Sequence, residues 1–155
     1  MALVSVIHGP NLNLLGTREP EIYGTQTLGE IDDALADLAT ELGLELETFQ
    51  SNHEGAIIDR IQSLRGRAEI LVLNAGGYTH SSVAIRDAVK AVAPEVQTLE
   101  VHLSIPEARE EFRRQSLLAG VVRGRIEGFG PVSYLLALHA ASRLVADRGF
   151  LVRNQ

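Results

Sequence analysis

The clearest candidate for acid–base chemistry is a glutamate and a histidine two positions apart, in the segment Glu100-Val101-His102-Leu103-Ser104. We predict a β-strand over 96–102, and side chains two positions apart in a strand point to the same face. A carboxylate beside an imidazole can orient the ring, which makes His102 a candidate acid or base. A strand-edge histidine that only pairs with its neighbour would show the same pattern, so both interpretations stay open from these residues alone.

A long loop, 9–27, follows the first predicted strand and contains Asn11, Arg18 and Tyr23. Connections of this length in a compact domain are usually lids, binding loops or disordered segments, and the apolar residues of this one argue against disorder. A binding loop or lid is therefore expected here. Taken singly, a solvated Arg18 and a packed Tyr23 are the simpler interpretations.

A glycine-rich segment, Asn74-Ala75-Gly76-Gly77-Tyr78-Thr79-His80-Ser81-Ser82, follows the third predicted strand. Paired glycines allow the backbone to approach a ligand closely. Free N–H groups at the start of the next helix suit an anionic or hydroxylated ligand. An ordinary strand-to-helix turn with a capping hydroxyl explains the same residues.

Two arginines follow the strand that carries His102. Arg109 and Arg113 are four residues apart in a predicted helix, 106–116, whose charge order from acidic to basic suits the helix dipole. Both guanidinium groups would then lie on one face, where they could meet a carboxylate. Pairing with Glu110 or neighbouring acids within the helix is the alternative.

These segments must be positioned by strands and helices that alternate along the whole chain. We predict strands over 3–8, 44–49, 69–74, 96–102 and 121–126, and helices over 28–42, 54–64, 81–92, 106–116 and 132–147. Right-handed crossovers then give a parallel sheet with helices on both faces. Five strands at this length indicate an α/β, flavodoxin-like three-layer sandwich with strand order 2-1-3-4-5. Ligands bind beyond the carboxyl ends of the adjacent strands 1, 3 and 4, after Ile7, Leu73 and His102.

The last predicted helix is apolar around more of its surface than contact with one sheet face requires. A stripe this wide indicates either a deeply buried core helix or a helix that contacts another subunit. The sequence favours neither.

The composition narrows the possible chemistries. The chain has 155 residues, 45% of them hydrophobic, and no cysteine, so we expect one domain, 1–155, without thiolate, disulfide or iron–sulfur sites. Its five histidines lack metal-ligand spacing, and its net charge of −6 argues against non-specific nucleic-acid binding. No apolar run approaches the roughly 18 residues of a membrane span. No signal peptide is recognisable, so we predict a cytoplasmic protein without membrane or nucleic-acid partners.

Four separated blocks carry a resemblance that covers nearly the whole chain. They are GPNLNLLG with REP and YG in 9–24, FQSN with EG in 49–55, NAGGYTHSSVAIRD in 74–87, and EVHLS with REEFR in 100–113. Together they resemble the type II 3-dehydroquinate dehydratases. The resemblance implies dehydration of 3-dehydroquinate to 3-dehydroshikimate through an enolate, without metal or cofactor, in the shikimate pathway or in quinate breakdown. It also implies a homododecamer built from trimers.

The resemblance further implies roles for individual residues. Tyr23 would remove a C2 proton, Arg18 would favour its ionised form, and Asn11 would order the water or donor at the enolate oxygen. His102, oriented by Glu100, would protonate the departing C1 hydroxyl. The implied substrate-binding residues are Asn74, His80 and Arg113 at the hydroxyls, Leu103 and Ser104 at the carboxylate, and Asp87 from a neighbouring subunit.

Three positions depart from the family pattern. His8 and Ile105 stand where asparagine is more usual, and Ser133 stands where glycine often does. These departures affect expectations about affinity and loop geometry rather than reaction class.

Two other functions stay open: a flavodoxin-like protein that binds FMN or a nucleotide at the 9–17 loop, and a non-catalytic scaffold. The scaffold is expected to have lost Tyr23, Arg18 or His102, and all three are present.

Overall fold

The computed structural model describes residues 1–17 and 19–147, and the side chain of Tyr23 lies outside that description. Its described residues form one parallel sheet of five strands in the order β2-β1-β3-β4-β5. The strands are β1 (Leu3–His8), β2 (Glu45–Gln50), β3 (Ile70–Asn74), β4 (Gln97–His102) and β5 (Gly124–Glu127). The predicted flavodoxin-like fold and strand order are confirmed.

Five α-helices connect the strands within the described residues: α1 (Pro20–Tyr23), α2 (Leu28–Leu42), α3 (Glu54–Gln62), α4 (Val83–Val92) and α5 (Val132–Ala146). The strands alternate their side chains between two hydrophobic clusters. Val4, Val6 and Val72 face the cluster that contains α2 and α5. Ile7 and Leu73 face the cluster that contains α3 and α4. Apolar residues on both faces of β1 and β3 explain why these strands occupy the middle of the sheet.

Side-chain hydroxyls cap the starts of two helices. The hydroxyl of Thr27 accepts a hydrogen bond from the Glu30 N–H at 3.2 Å and begins α2, which ends the long 9–27 loop. Ser82 caps α4 in the same way by accepting from the Ile85 N–H at 2.9 Å. The predicted capping hydroxyl after the glycine pair is therefore Ser82, and a 3₁₀ helix, Gly76–His80, precedes it.

The predicted helix over 106–116 is wrong. The structure has two short 3₁₀ helices, Pro106–Ala108 and Glu111–Arg114, separated by extended backbone at Arg109 and Glu110. The large apolar residue of this segment, Phe112, is 63% exposed. Without a stripe of side chains to bury, the segment lacks the tertiary packing that stabilises most helices in proteins.

The other differences concern one strand boundary and the surroundings of α5. The strand predicted over 121–126 is observed over Gly124–Glu127, as β5. It begins later than predicted because Val121 and Val122 pack against the cluster beside α3 and α4.

Helix α5 has four residues that are fully buried, as expected of a core helix: Tyr134, Ala137, Leu138 and Ala141. Val132 and Leu136 stay exposed, and a subunit contact there stays a prediction. None of the helices described here is both long and apolar enough to span a membrane.

Candidate active site

A pocket of about 100 Å³ opens at the carboxyl ends of β1, β3 and β4, where the strand order predicts a ligand site. Most of the predicted site residues line it: Asn11, Asn74, His80, His102, Leu103, Ser104 and Arg113. These residues come from four separate segments of the chain. The fold therefore brings the sequence blocks together at one edge of the sheet.

The remaining predicted residues lie elsewhere or outside the description. Glu100 does not line the pocket but lies behind His102 and is completely buried. Asp87 is exposed on α4 and does not line the pocket. Arg18 and the side chain of Tyr23 lie outside the described residues.

Glu100 and His102 point to the same face of β4, as the alternation of a strand predicts. Nε2 of His102 donates to Oε2 of Glu100 at 2.6 Å. The hydroxyl of Ser116 donates to the same carboxylate, at 2.9 and 3.0 Å from its two oxygens. Nε of Arg125 lies 3.5 Å from Oε2 and adds a positive charge behind the pair. The carboxylate thereby holds the imidazole in one orientation, and Nδ1 is the ring nitrogen left for a ligand.

The electrostatics of this pair favour an ionised carboxylate. Burial alone would raise the pKa of Glu100, but the hydrogen bond and charge of His102 act in the opposite direction. Arg125 and Ser116 add to the lowering, and the pKa of Glu100 falls below its usual value of 4.5. The ionised carboxylate remains an acceptor for the His102 ring and fixes which nitrogen faces the pocket.

The glycine-rich segment packs tightly against the start of the long loop. The Gly9 N–H donates to the Asn74 carbonyl oxygen at 2.7 Å. A Cβ at Gly9 would lie 2.6 Å from the carbonyl carbon of Ala75, so only glycine fits there. This close approach joins the ends of β1 and β3 into one wall of the pocket.

Asn11 stands at a strained backbone position next to the pocket. Its φ of 70° is left-handed, a conformation that asparagine tolerates better than most residues. Its N–H donates to Oδ1 of Asn52 at 2.9 Å, and Nε2 of Gln50 donates to the same oxygen at 3.1 Å. The hydroxyl of Tyr78 donates to the Asn52 carbonyl at 2.9 Å. Gln50 and Asn52 belong to the FQSN block, and their role as supports of the loop was not predicted.

Three basic residues also line the pocket: His80, Arg109 and Arg113. Nδ1 of His80 donates to the Gln115 carbonyl at 2.7 Å, which leaves Nε2 as the unprotonated ring nitrogen of the neutral side chain. Arg113 pairs with Glu110, the alternative considered from the sequence, and still lines the pocket. Arg109 also lines it, with NH1 3.5 Å from the Ser104 hydroxyl. The sequence signal for Arg109 was its spacing from Arg113, although the helix that motivated that argument is absent.

The three departures from the family pattern have separate structural surroundings. His8 is buried, and its two ring nitrogens form hydrogen bonds with Tyr134 and Asp32. Ile105 is 51% exposed and so close to Gly128 that a Cβ there would lie 2.8 Å from its side chain. The buried Ser133 hydroxyl accepts from the Phe129 N–H at 3.0 Å. Ile105 and Ser133 do not line the pocket.

Among residues 1–17 and 19–147, no group of three or more histidine, aspartate and glutamate side chains is arranged to hold a metal ion. The expectation that the reaction needs neither metal nor cofactor stays a prediction. What the pocket offers by itself is one acid–base histidine, two arginines, amide groups and a hydroxyl.

Comparison with known proteins identifies the family to which this chain is similar. The family model for dehydroquinase class II matches residues 2–142. The 3-dehydroquinate dehydratase of Desulforudis audaxviator is 53% identical over 150 residues, which cover 97% of this chain and 98% of the relative. The crystal structure of the type II dehydroquinase from Butyrivibrio crossotus has a TM-score of 0.87 and 41% identity, and covers 90% of this chain and 96% of its own. That from Propionibacterium acnes has a TM-score of 0.88 and 36% identity, with 92% and 97% covered. An FMN-binding or nucleotide-binding function is not favoured by these matches, and the chain belongs to the class II dehydroquinase family.

Proposed function

We propose that this chain, acting as one catalytic domain over 1–155, removes water from 3-dehydroquinate to give 3-dehydroshikimate, a step of the shikimate pathway. The observation that carries the proposal is the pocket at the ends of β1, β3 and β4. There a carboxylate-supported histidine faces the same space as two arginines and an asparagine. Family membership and relatives named 3-dehydroquinate dehydratase support the choice of substrate.

The first chemical step is removal of a proton from C2, next to the C3 carbonyl. We assign it to the phenolate of Tyr23, which follows Arg18 in the loop between β1 and α2. A free tyrosine has a pKa of about 10, so a phenolate near neutral pH needs a cation, and each pKa unit corresponds to about 1.4 kcal/mol. Arg18 supplies that cation in this scheme. The C2–H electron pair moves into an enolate, whose oxygen is held by a donor or water that Asn11 orders.

The second step breaks the C1–O bond. The enolate electrons form the C1–C2 double bond while the C1 hydroxyl leaves with a proton from His102, as water. Nε2 of His102 is bonded to Glu100, so the proton comes from Nδ1 of the imidazolium. The buried Glu100 carboxylate orients the ring for this transfer, and a positioned general acid typically contributes roughly 100- to 10,000-fold in rate.

The remaining pocket residues recognise an anionic, hydroxylated substrate. Asn74, His80 and Arg113 bind its hydroxyls in this scheme, and the backbone N–H groups of Leu103 and Ser104 bind its carboxylate. We add Arg109 at the carboxylate end, because its guanidinium lies beside the Ser104 hydroxyl in the pocket wall. Two arginines there supply local positive charge on a chain whose net charge is −6.

We also propose that the working enzyme is a homododecamer, a tetramer of trimers, in which Asp87 reaches the pocket of a neighbouring subunit. Its exposure on α4, away from the pocket of its own chain, supports this assignment. The exposed Val132 and Leu136 of α5 offer apolar surface for subunit contacts. The cytoplasmic location stays a prediction.

Product identification tests the proposed function. The purified protein is incubated with 3-dehydroquinate, and the mixture is analysed by mass spectrometry and proton NMR. We expect loss of one water and a new vinyl proton at C2. A colourless protein that does not titrate with FMN is expected in parallel. Unchanged substrate, or a tightly bound flavin, would contradict the proposal.

A further inference from the structure

A chain of buried polar side chains leads from the pocket wall to the protein surface. Nδ2 of Asn74 donates to the hydroxyl of Tyr134 at 3.1 Å, and this hydroxyl lies 2.8 Å from Nδ1 of His8. Nε2 of His8 lies 2.8 Å from Oδ1 of Asp32. Asn74 and His8 end β3 and β1, and Tyr134 and Asp32 belong to α5 and α2. Side-chain hydrogen bonds thus link the ends of two neighbouring strands to a helix on the same side of the sheet and, through His8, to a second helix.

The direction of each hydrogen bond in this series of side chains follows from the contacts of Asn74. The Gly76 N–H donates to Oδ1 of Asn74 at 3.1 Å, which fixes Nδ2 as the group that faces Tyr134. The Tyr134 oxygen accepts there, so its own proton is donated to Nδ1 of His8. Nδ1 is then unprotonated, and Nε2 carries the proton that it donates to the Asp32 carboxylate.

The burial of Tyr134 agrees with this direction. Burial raises the pKa of its phenol, the hydrogen bond from Asn74 lowers it in part, and the charge of Asp32 raises it further. The net shift is upward, so the phenol stays protonated and remains a donor at neutral pH. His8 and Tyr134 are both fully buried, where a polar group without a partner is costly.

Among residues 1–17 and 19–147, the hydrogen bonds of the Asn74 amide leave one N–H and one carbonyl lone pair for a ligand. Asn74 lines the pocket, and of these two groups one donates a hydrogen bond and the other accepts one. A half-turn of the amide would exchange them and would place Nδ2 against the Gly76 N–H, so that two donors would face each other. The contacts with Tyr134 and Gly76 therefore decide where Asn74 presents its remaining donor and its remaining acceptor to the substrate hydroxyls.

We propose that Asp32, His8 and Tyr134, the Asn74 positioning chain, hold the Asn74 amide in the one orientation that binds the substrate hydroxyls. This proposal rests on the proposed function for the identity of the ligand. His8 fits the central place because a neutral imidazole accepts on one side and donates on the other, so it can link a phenol to a carboxylate. The three residues act through Asn74 and do not touch the substrate.

A double-mutant cycle tests the proposal. Tyr134→Phe keeps the ring and removes only the hydroxyl that Asn74 and His8 share. We expect KM for 3-dehydroquinate to rise about tenfold while kcat changes less, since uniform binding affects KM alone. In an Asn74→Ala background, the same substitution should cause no further rise. An equal rise in both backgrounds, or an unchanged KM in the single variant, would overturn the proposal.

A second pair of variants tests Asp32, the surface end of the Asn74 positioning chain, without changing a fully buried residue. Asp32→Ala removes the acceptor for Nε2 of His8 and lets the ring adopt the other tautomer, so that Nδ1 donates to Tyr134. We expect a smaller rise in KM, about two- to fivefold. The matched control is Asp33→Ala, at the exposed neighbour on the same helix, and should leave KM unchanged. Equal effects of the two substitutions would contradict a role for Asp32.

Crystal structures separate a failure of this proposal from a failure of the proposed function. If the wild-type protein does not turn over 3-dehydroquinate, the proposed function fails, and the positioning chain is then judged from structure alone. We expect Nδ2 of Asn74 in Tyr134→Phe to leave its wild-type position or to lose order, because only the Gly76 N–H then holds the amide. An Asn74 side chain that keeps its wild-type position and order in that variant would overturn the proposal.

Discussion

Glu100 and His102 alternate along β4 and meet through a 2.6 Å hydrogen bond between Oε2 and Nε2. The carboxylate is completely buried, whereas His102 is 7% exposed at the pocket. The pair thus has a dry, negatively charged end and an end that a substrate can reach. A general acid needs this asymmetry, because the charge that holds the ring must not compete for the proton delivered to the substrate.

Removing the acid should affect turnover more than binding. We expect His102→Ala to lower kcat by roughly 100- to 10,000-fold, the usual contribution of a positioned general acid. Glu100→Gln keeps an oxygen acceptor for Nε2 and removes the charge, so its kcat should fall by less. Steady-state kinetics with 3-dehydroquinate measure both. A kcat for Glu100→Gln below that of His102→Ala would contradict the assignment of His102 as the acid and Glu100 as its support.

The lowered pKa of Glu100 predicts how stability depends on pH. The folded protein keeps this carboxylate ionised at pH values where the unfolded chain has protonated it, so the unfolded state binds more protons. The contribution of Glu100 is present above its unfolded pKa and is lost as pH falls through the lower, folded value. Urea denaturation between about pH 6 and pH 3 should show a steeper loss for the wild type than for Glu100→Gln. If the unfolding free energies of the two proteins fell in parallel with pH, ionisation of Glu100 would not be coupled to folding.

Tyr23→Phe should abolish turnover and leave substrate binding nearly intact. Phenylalanine has the size of tyrosine but no proton-accepting oxygen, so the C2 proton cannot be removed. Isothermal titration with 3-dehydroquinate and a kinetic assay on the same sample check both parts. Turnover at the wild-type rate would assign the base elsewhere.

Arg109→Ala should weaken substrate binding. A charge-assisted hydrogen bond contributes about 1.5–3 kcal/mol, which corresponds to a rise in KM of roughly 10- to 100-fold. Arg114→Ala is the matched control, because Arg114 lies in the same segment, is exposed and does not line the pocket. We expect the control to keep the wild-type KM. Equal KM values for the two variants would remove Arg109 from the site.

Subunit mixing tests the shared site proposed for Asp87. Asp87→Ala and Tyr23→Phe proteins should each be weakly active or inactive. After they are denatured and refolded together, pockets with an intact Tyr23 and an intact neighbouring Asp87 should restore part of the activity. Light scattering should show a dodecamer. A fully active monomer, or no gain on mixing, would contradict the shared site.

The parts of the site that the sequence predicts are those governed by local periodicity. The alternation along β4 places Glu100 beside His102, and the strand order places the loops after β1, β3 and β4 together. The helix predicted over 106–116 is wrong because the charge order of this segment is typical of a helix, although the segment has no apolar stripe to bury. The contact between His8 and Tyr134 joins residues 126 positions apart, and no local pattern indicates it.

The most direct measurement is the absorbance of the conjugated enone when 3-dehydroquinate is added to the folded wild-type protein, with Tyr23→Phe and His102→Ala beside it. We expect the absorbance to rise with wild-type enzyme in proportion to its concentration, to stay at the uncatalysed rate with Tyr23→Phe, and to rise roughly 100- to 10,000-fold more slowly with His102→Ala. A flat trace from folded wild-type protein would contradict the account, and so would an equal rise from all three proteins.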